Sequence, residues 1–366
     1  MTILSSSSFV PVRAEEISRD WLQQALAPAF PGAVLESVSI AKAHSGTTGR
    51  ARMNLEWRDT NGIADLPQSL FAKFPPVDDD QKQLVVDWGM GAREARFYKF
   101  LAGEVPVLAP RAFYSDMSED GRHYIMLMGD LRAVGARPAA VLRDSTELMA
   151  CELMDAFGLL HGAYWDSPRF ATDLAWLEPY PLGRQPETLG LLQSAYDSFR
   201  GDMPPLFADT CRLVLDRQQE VADVFELGTP TLVHGDSHIG NLFLDAQDHV
   251  GFFDWALCAK MPGMWDVAYV LSNSFPTEFR REHERTLLER YRRALSEAGG
   301  PQRSLDEIWD EYRLYVVYSW ISTTITAGAG SRMQSLEVGL RGARWTTQAM
   351  EDIGSLELLT ARLGIG

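Results

Sequence analysis

The chain has 366 residues, of which 46% are hydrophobic and 10% aromatic, so it can bury a large core and is not intrinsically disordered. At roughly 150 residues per domain, this length indicates about two domains. The net charge of −16, from 34 basic and 50 acidic residues, repels nucleic-acid phosphates and anionic lipid. We therefore expect neither nucleic acid nor a membrane as a partner.

Three cysteines, Cys151, Cys211 and Cys258, are too few and too scattered for a disulfide framework or a zinc knuckle. Residues Met1–Ala14 lack the basic start and the apolar stretch of a signal peptide. The apolar stretch Tyr315–Ala329 is interrupted by Ser and Thr residues, which indicates a buried helix and not a membrane span. These features predict a cytoplasmic protein, and they indicate no particular oligomeric state.

The first 128 residues have mainly the alternating pattern of strands. Ser18 can cap a short first helix, which ends near Pro28. A loop at Asp78–Asp80 precedes a second predicted helix, which runs through Arg93–Leu101. The five predicted strands are Val34–Ala43, Ala51–Arg58, Ser69–Phe74, Arg111–Tyr114 and Tyr124–Met128.

After Gly129 the apolar residues recur mostly at helical spacing. The predicted helices are Thr146–Tyr164, Gly190–Phe199, Asp209–Val224, Glu278–Ala298 and Leu305–Ile325. Two short strand-like runs, Thr231–Leu244 and Val250–Trp255, interrupt them around a polar loop. This change of pattern predicts an α+β fold with two domains, 1–128 with a five-stranded sheet plus a helix, and 129–366 mainly helical.

The polar loop contains the residue types that phosphoryl transfer needs. Asp236 and Asn241 are separated by four residues, the spacing of the kinase catalytic loop H-R-D-x-x-x-x-N, and Asp254 follows a hydrophobic strand. One carboxylate can accept the proton of an attacking hydroxyl. An amide oxygen and a second carboxylate are hard ligands that suit Mg²⁺. The alternative is that these residues only form turns.

Several motifs together resemble those of the aminoglycoside phosphotransferase and choline kinase superfamily. They are His234–Asn241, Asp254-Trp255, Met264–Tyr269, Glu94–Tyr98 and Leu160-His161, and the last two are most similar to the ecdysteroid-kinase-like branch. The resemblance implies a bilobal protein-kinase-like fold, with a small β-rich N-lobe over 1–128 and a larger, mainly helical C-lobe over 129–366. The N-lobe would bind nucleotide, and the C-lobe would carry the catalytic loop, the metal ligands and the acceptor-binding helices.

The same resemblance assigns roles to individual residues. Asp236 would be the catalytic base, Asn241 and Asp254 would bind Mg²⁺, and Lys73 would reach the phosphates of ATP, or of GTP, while paired with Glu94. Three residues would support the catalytic loop: His234, His238 and Asp266. Further nucleotide-binding residues would be Ser45, Gly46 and Thr47 in the first loop, and the hinge residues Met128, Gly129, Asp130 and Leu131. His161 is either a packed helix histidine or a functional one.

The residues themselves support part of this assignment. Lys73 lies in the middle of an apolar strand, where an unpaired ammonium is costly to bury, and Glu94 lies at the edge of an apolar helix stripe. A lysine with its head in solvent is the alternative. Two departures from protein kinases are visible: the first loop lacks G-x-G-x-x-G, and Trp255-Ala256 replaces the Phe-Gly of D-F-G.

Three functions remain open from the sequence. The first is an ATP- and Mg²⁺-dependent phosphotransferase that acts on a small-molecule hydroxyl group. The second is a catalytically silent kinase-like protein that binds nucleotide. The third is a metal-dependent hydrolase that uses His234, Asp236, His238 and Asp254. The acidic excess favours a cationic alcohol as the substrate, whereas the branch resemblance and the apolar late helices favour a bulky, largely apolar alcohol.

Overall fold

The computed structural model describes residues 9–45, 48–179 and 186–365. The chain divides into two compact units. The first comprises Met1–Arg137 with the short segments Asp245–Asp248 and Phe253–Leu257. The second comprises Pro138–Leu244, His249–Phe252 and Cys258–Gly366.

The first unit is built on an antiparallel sheet of five strands in the order β1-β2-β3-β5-β4. The strands are β1 (Val34–Ser45), β2 (Gly49–Asp59), β3 (Ser69–Phe74), β4 (Ala112–Met117) and β5 (Tyr124–Gly129). Strand β3 lies between β2 and β5, and Lys73 pairs in register with Arg50 on one side and Met126 on the other. Lys73 therefore lies on the middle strand of the sheet.

Three helices accompany this sheet: α1 (Arg19–Leu26), α2 (Asp79–Asp87) and α3 (Met90–Phe100). The Ser18 side chain caps α1 by accepting a hydrogen bond from the Trp21 N–H. The apolar stripe of α1 packs in one buried cluster with Ala72 and Phe74 of β3. Because side chains alternate along a strand, Lys73 points to the opposite face of the sheet.

The second unit is mainly helical. Its helices are α4 (Glu147–Ala163), α5 (Pro186–Phe199), α6 (Pro205–Asp216), α7 (Gln218–Glu226), α8 (Met264–Ser274), α9 (Thr277–Glu297), α10 (Leu305–Gly328), α11 (Leu336–Ile353) and α12 (Ser355–Arg362). A two-residue strand, β6 (Arg137–Pro138), lies where the chain passes from the first unit to the second.

Four short strands of the second unit hold the polar loop. β7 (Thr231–Val233) pairs with β10 (Ala259–Met261), and β8 (Leu242–Leu244) pairs with β9 (Val250–Phe252), both antiparallel. All residues of β7, β8 and β9 are buried. The loop between β7 and β8 is therefore fixed at both ends by buried strands.

Helices α4 and α9 approach each other closely through small residues. A Cβ atom added at Gly158 of α4 would lie 2.3 Å from the Ala294 Cβ and 2.7 Å from the Leu295 backbone nitrogen of α9. One turn later, a Cβ at Gly162 would lie 2.5 Å from the Ala298 Cβ. Glycine at both positions permits this close packing of the two backbones.

The predicted α+β class, with strands first and helices after, is confirmed, and β3 has the predicted bounds. Two element predictions are wrong. Asp78–Asp80 is not a loop, because the Asp78 side chain caps α2. The predicted helix Asp209–Val224 is broken at Arg217 into α6 and α7. Helices α2, α8, α11 and α12 were not predicted. In the described ranges, no helix is both long and apolar enough to cross a bilayer.

We expect Gly158→Ala to lower the free energy of unfolding by about 1–3 kcal/mol, because the added methyl group meets the backbone of α9. Gly190→Ala is the matched control, since Gly190 is an exposed helical glycine of α5 with no atom within 4 Å of an added Cβ. Better helix propensity should raise stability there by up to about 1 kcal/mol. Urea unfolding measures both, and equal effects would contradict this packing.

Candidate active site

A tight loop follows β7 and carries Asp236. Gly235 has φ +84°, a left-handed conformation that glycine adopts at little cost. A single 3₁₀ turn, Ile239–Asn241, then leads into β8. The side chain of His238 caps this turn by accepting a hydrogen bond from the Gly240 N–H. The polar loop is therefore a defined structure along its whole length.

Asp266 of α8 fixes the backbone of this loop. Its carboxylate accepts hydrogen bonds from the His234 N–H at 2.6 Å and the Gly235 N–H at 2.9 Å. His161 of α4 lies 3.3 Å from the same carboxylate through Nε2, and its Nδ1 lies 3.0 Å from the Tyr291 hydroxyl. Asp266 and His161 are fully buried. A buried carboxylate without partners is strongly unfavourable, so loss of these hydrogen bonds would destabilise the folded protein.

Asp236 is the accessible carboxylate of this loop, with 31% of its side chain exposed. The Asn241 Nδ2 atom donates to Asp236 Oδ2 and to the Asp236 carbonyl, each at 2.9 Å. The nitrogen of the Asn241 amide thus orients Asp236. The oxygen of the same amide, Oδ1, is the atom with the chemistry to bind a cation. Asp236 is therefore oriented by Asn241 and partly exposed to solvent.

The two histidines of the loop support its backbone. His234 Nδ1 accepts a hydrogen bond from the Asp236 N–H at 3.2 Å, and His238 Nδ1 accepts from the Gly240 N–H at 3.0 Å. His238 Nε2 lies 3.6 Å from Asp236 Oδ2. Over the residues described, no group of three or more His, Cys, Asp or Glu side chains is arranged to hold a metal ion.

In the first unit, Lys73 lies between two carboxylates. Its Nζ atom is 2.7 Å from Glu94 Oε1, 2.6 Å from Glu94 Oε2 and 3.0 Å from Asp254 Oδ1. Both Lys73 and Glu94 are buried. Burial by itself lowers the pKa of Lys73, but the charges of Asp254 and Glu94 outweigh it and raise that pKa above its usual value. Lys73 is therefore held in its charged form.

Burial also raises the pKa of Glu94, and the charge of Lys73 works in the opposite direction. A phenol lies in the same environment: the Tyr124 hydroxyl of β5 is buried and has no hydrogen-bond partner in the described part of the chain. Burial raises the pKa of Tyr124, and the charges of Glu94 and Asp254 raise it further. Lys73 is thus the cation that stabilises the ionised form of Glu94.

An aromatic stack holds Asp254 beside this pair. Asp254 has φ +65°, a left-handed conformation that is uncommon for a residue with a side chain. The next residue, Trp255, is fully buried and stacks on Phe97 of α3, with ring centroids 4.0 Å apart and planes 9° apart. Because Phe97 is on the same helix as Glu94, the stack ties Asp254 to the helix that supplies the partner of Lys73.

The predicted hinge residues Met128–Leu131 start inside the sheet. Met128 and Gly129 belong to β5 and pair with β3, and the Gly129 N–H donates to the Arg111 carbonyl at 2.8 Å. Leu131 begins a short 3₁₀ turn, Leu131–Val134, that Asp130 caps. The backbone of this segment is therefore held by the sheet on one side and by the turn on the other.

The Asp130 side chain is buried and anchors this segment to the sheet. Its Oδ2 atom accepts hydrogen bonds from Arg52 Nε at 2.5 Å and from the Ser69 hydroxyl at 2.8 Å. Burial alone would raise the pKa of Asp130, but the bonds from Ser69, Arg52 and the Arg132 N–H lower it below its usual value. The Asp130 carboxylate thus holds this segment to the sheet. The neighbouring backbone groups are those to which the family resemblance assigns nucleotide binding.

The predicted phosphate loop is only partly described. Ser45 is the last residue of β1 and pairs in register with Gly49, the first residue of β2. Gly46 and Thr47 lie outside the described residues. A Cβ atom at Gly49 would lie 2.4 Å from the Phe74 ring, so the start of β2 lies close against the end of β3.

Sequence reasoning assigned no role to Tyr269 and Asn273, two residues of α8 beyond Asp266. Tyr269 is buried, which raises the pKa of its phenol well above the usual value, and the charge of Asp236 raises that pKa further. The spacing of the two residues after Asp266, three and seven residues, places all three side chains on one face of a helix. This spacing was the signal in the sequence that could have identified Tyr269 and Asn273. A helix that contacts the loop through Asp266 carries these two residues on the same face, one and two turns later.

The sequence model of the phosphotransferase enzyme family matches residues 91–315, more than half of the chain. This range includes Glu94, the polar loop, Asp254 and Asp266. Lys73 precedes it. A comparison with curated protein sequences gave no match.

Solved structures of kinases are similar in fold. Choline kinase from Cryptosporidium parvum Iowa II has a TM-score of 0.52 at 13% identity, covering 89% of this chain and 93% of that one. Ethanolamine kinase from Plasmodium vivax has a TM-score of 0.51 at 13% identity, covering 88% and 83%. LicA, a choline kinase from Streptococcus pneumoniae solved in complex with AMP, has a TM-score of 0.50 at 14% identity, covering 92% and 98%. The predicted kinase-like fold is confirmed.

We expect Lys73→Met to lower the free energy of unfolding by about 3–5 kcal/mol at pH 8, because it leaves Glu94 buried without its cation. Glu94 then takes up a proton on folding. A folded-state pKa above the unfolded one means that the folded protein binds more protons, so stability falls as the pH rises. In wild type the pKa of Glu94 is already raised to about 7, so below that pH both proteins lose stability in parallel as the pH rises. The deficit relative to wild type should therefore grow above about pH 7, measured by urea unfolding.

Lys82→Met is the matched control for this variant, because Lys82 forms an exposed ion pair with Asp79 at 3.2 Å. Exposed pairs contribute about 0–1 kcal/mol. A loss in Lys73→Met that is equal to the control, or that does not change with pH, would contradict the buried pair.

Proposed function

Because the chain belongs to the phosphotransferase enzyme family and is a small-molecule kinase, we propose that it transfers the γ-phosphoryl group of ATP to a hydroxyl group of its substrate, with Mg²⁺ as cofactor. The observation that carries this proposal is Lys73, buried between the carboxylates of Glu94 and Asp254. A charged lysine that is fixed by a helix carboxylate is what kinases use to bind the α- and β-phosphates. The bound AMP of the similar structure LicA supports a nucleotide as ligand.

The donor atoms fit a magnesium ion. Asp254 supplies a carboxylate that is 26% exposed, and Asn241 supplies the amide oxygen that its bonds to Asp236 do not use. Hard oxygen ligands of this kind suit Mg²⁺, which offsets charge on the β- and γ-phosphates when bound.

Asp236 is the proposed base. The acceptor oxygen forms a bond to the γ-phosphorus, the bond from that phosphorus to the β-phosphate oxygen breaks, and the hydroxyl proton passes to Asp236. ADP and a phosphate monoester are the products. The amide of Asn241 holds the carboxylate of Asp236 ready for this proton transfer.

The other two functions account for less of the structure. A metal-dependent hydrolase has no use for the buried pair of Lys73 and Glu94, and the Nδ1 atoms of His234 and His238 accept backbone hydrogen bonds. A silent nucleotide-binding protein leaves the exposed and oriented carboxylate of Asp236 without a task.

We propose a neutral alcohol with a largely apolar body as the acceptor. The Asp236 carboxylate is contacted by the amide of Asn241 and lies 3.6 Å from the imidazole of His238, and its charge raises the pKa of the Tyr269 phenol. These groups favour an uncharged hydroxyl compound over a polycation. The aromatic residues of α10 are not evidence for an apolar pocket wall, because Tyr315, Tyr318 and Trp320 are buried in the core of the second unit.

Asp254→Ala and Asp236→Asn should have opposite signatures. Asp254→Ala should abolish the tightening of ATP binding by Mg²⁺, because this carboxylate would be a ligand of the metal. Asp236→Asn should leave ATP binding nearly unchanged and lower turnover on an alcohol by about 10²–10⁴, the usual contribution of general-base catalysis. Calorimetry with and without Mg²⁺ measures the first effect, and ADP release over a library of alcohols measures the second.

Thermal shifts with Mg²⁺ and ATP, and separately with Zn²⁺, distinguish the alternatives. Stabilisation by ATP with Mg²⁺ and none by Zn²⁺ excludes the hydrolase, and ADP release then separates the kinase from the silent nucleotide-binding protein. Stabilisation by Zn²⁺ alone, or wild-type turnover in Asp236→Asn, would contradict the proposal.

A further inference from the structure

We propose that Arg50 binds the phosphate chain of the nucleotide, as a cation that lies beside Lys73 on the same face of the sheet. This inference rests on the proposed function, because it assigns Arg50 a ligand that the phosphotransferase reaction supplies. Arg50 lies outside the motifs that carry the family resemblance and outside residues 91–315, which the family model matches.

The register of the sheet places Arg50 directly opposite Lys73. The two residues are Cα partners in the antiparallel pairing of β2 with β3. Side chains of directly paired residues point to the same face of a sheet, with Cβ atoms about 4.5–5.5 Å apart. The next pair along the strands, Ala51 and Ala72, belongs to the buried cluster that packs with α1 on the other face. The side chains of Arg50 and Lys73 therefore share the face opposite to α1.

Three basic side chains of β2 and β3 lie on this face, and two of them have a carboxylate partner. Lys73 lies between two carboxylates, and Arg52 Nε lies 2.5 Å from Asp130 Oδ2. In the part of the chain that the structure describes, Arg50 forms no ion pair, and its side chain makes one hydrogen bond, from Nε to the Thr48 hydroxyl at 2.9 Å. The two terminal nitrogens of the Arg50 guanidinium are thus available to a ligand.

Two like charges directly opposite each other on a sheet repel, which is unfavourable for the folded protein. Burial lowers the pKa of Lys73, the charges of Asp254 and Glu94 raise it, and the charge of Arg50 lowers it. Arg50 therefore acts on Lys73 through its charge. Because Arg50 is partly buried, solvent ions screen this repulsion only in part. An anion that contacts both cations removes the repulsion.

Thr48 fixes the Arg50 guanidinium at the start of β2. Thr48 is buried and accepts the hydrogen bond from Arg50 Nε. In the sequence it directly follows Gly46 and Thr47, to which the family resemblance assigns phosphate binding. A guanidinium is planar, so a bond at Nε sets its plane, and its terminal nitrogens then match two oxygens of one phosphate group. Arg50 thus offers a bidentate contact to phosphate next to Lys73.

The charges around Lys73 show why a polyanion needs Arg50. When all three groups are ionised, Lys73, Glu94 and Asp254 together carry one net negative charge, which repels a phosphate chain. The charge of Arg50 balances it. Among the anions that this face could meet, the phosphate chain of ATP is the one that the proposed function brings there. Arg50 should therefore contribute to the affinity for the phosphate chain and not to the affinity for adenosine.

The test measures binding of ATP and of adenosine by calorimetry to wild type, Arg50→Gln and Arg50→Lys. We expect Arg50→Gln to weaken ATP binding by about 10- to 100-fold, because charge-assisted hydrogen bonds to phosphate are lost, with adenosine binding unchanged. Arg50→Lys keeps the charge without the planar fork, so its loss should be smaller. The Tm of the ligand-free protein should stay nearly unchanged in both variants, because no carboxylate loses its partner. Unchanged ATP affinity in Arg50→Gln, or a lower Tm with ATP and adenosine binding weakened equally, would overturn the proposal.

Arg58→Gln is the matched control, because Arg58 is an exposed arginine of the same strand and lies 3.6 Å from Glu36. It removes the same charge from the chain and should bind ATP as wild type does. An equal loss of ATP affinity in this variant would assign the effect to net charge and overturn the proposal.

Inorganic tripolyphosphate, a phosphate chain without a nucleoside, separates this proposal from the proposed function. If wild type binds tripolyphosphate more tightly than Arg50→Gln does but releases no ADP with any alcohol, the role of Arg50 is supported and the proposed function fails. If wild type and Arg50→Gln release ADP with the same KM for ATP, the proposed function is supported and the role of Arg50 is overturned. If wild type binds neither ATP nor tripolyphosphate, both fail.

Discussion

The second unit depends most on the buried carboxylate of Asp266, which accepts hydrogen bonds from two consecutive backbone N–H groups, those of His234 and Gly235. Two adjacent N–H groups converge on one carboxylate only where the backbone takes an unusual path, and the left-handed Gly235 provides it. His161 contacts the same carboxylate from α4. Because Asp236 follows Gly235 directly, the position of the proposed base is set by a residue that lies thirty positions further along the chain.

The first unit stabilises a buried charge in a similar way, with the signs reversed. Lys73 is a cation on the middle strand of a sheet, and Glu94 and Asp254 supply the opposite charge. A buried ammonium without such partners would be strongly unfavourable. The Trp255 and Phe97 stack then keeps Asp254 near α3. In each unit a group proposed to meet phosphate or substrate is thus held by a more deeply buried partner.

Sequence reasoning was most successful where burial and charge conflict locally. Lys73 stands among apolar residues of one strand, so a partner was required, and the structure has Glu94 beside it. Helix ends were harder. Asp78 caps α2 through a local bond from the Gln81 N–H, and the predicted helix ends early at Arg217, which leaves the helical backbone conformation. Tyr269 follows Asp266 by three residues on the same face of α8, a spacing that was visible in the sequence but was given no role. The proposed roles of Gly46 and Thr47 stay predictions.

Every role proposed for these residues depends on transfer of the γ-phosphoryl group of ATP to an alcohol. This transfer is followed with ATP that carries ³²P at the γ-position, with Mg²⁺ and a library of neutral alcohols, using wild type and Asp236→Asn in parallel. Wild type should move the label into a phosphate monoester of one alcohol class, and Asp236→Asn should do so far more slowly. Label that stays in ATP, or that appears in a monoester equally with both proteins, would contradict the proposed function.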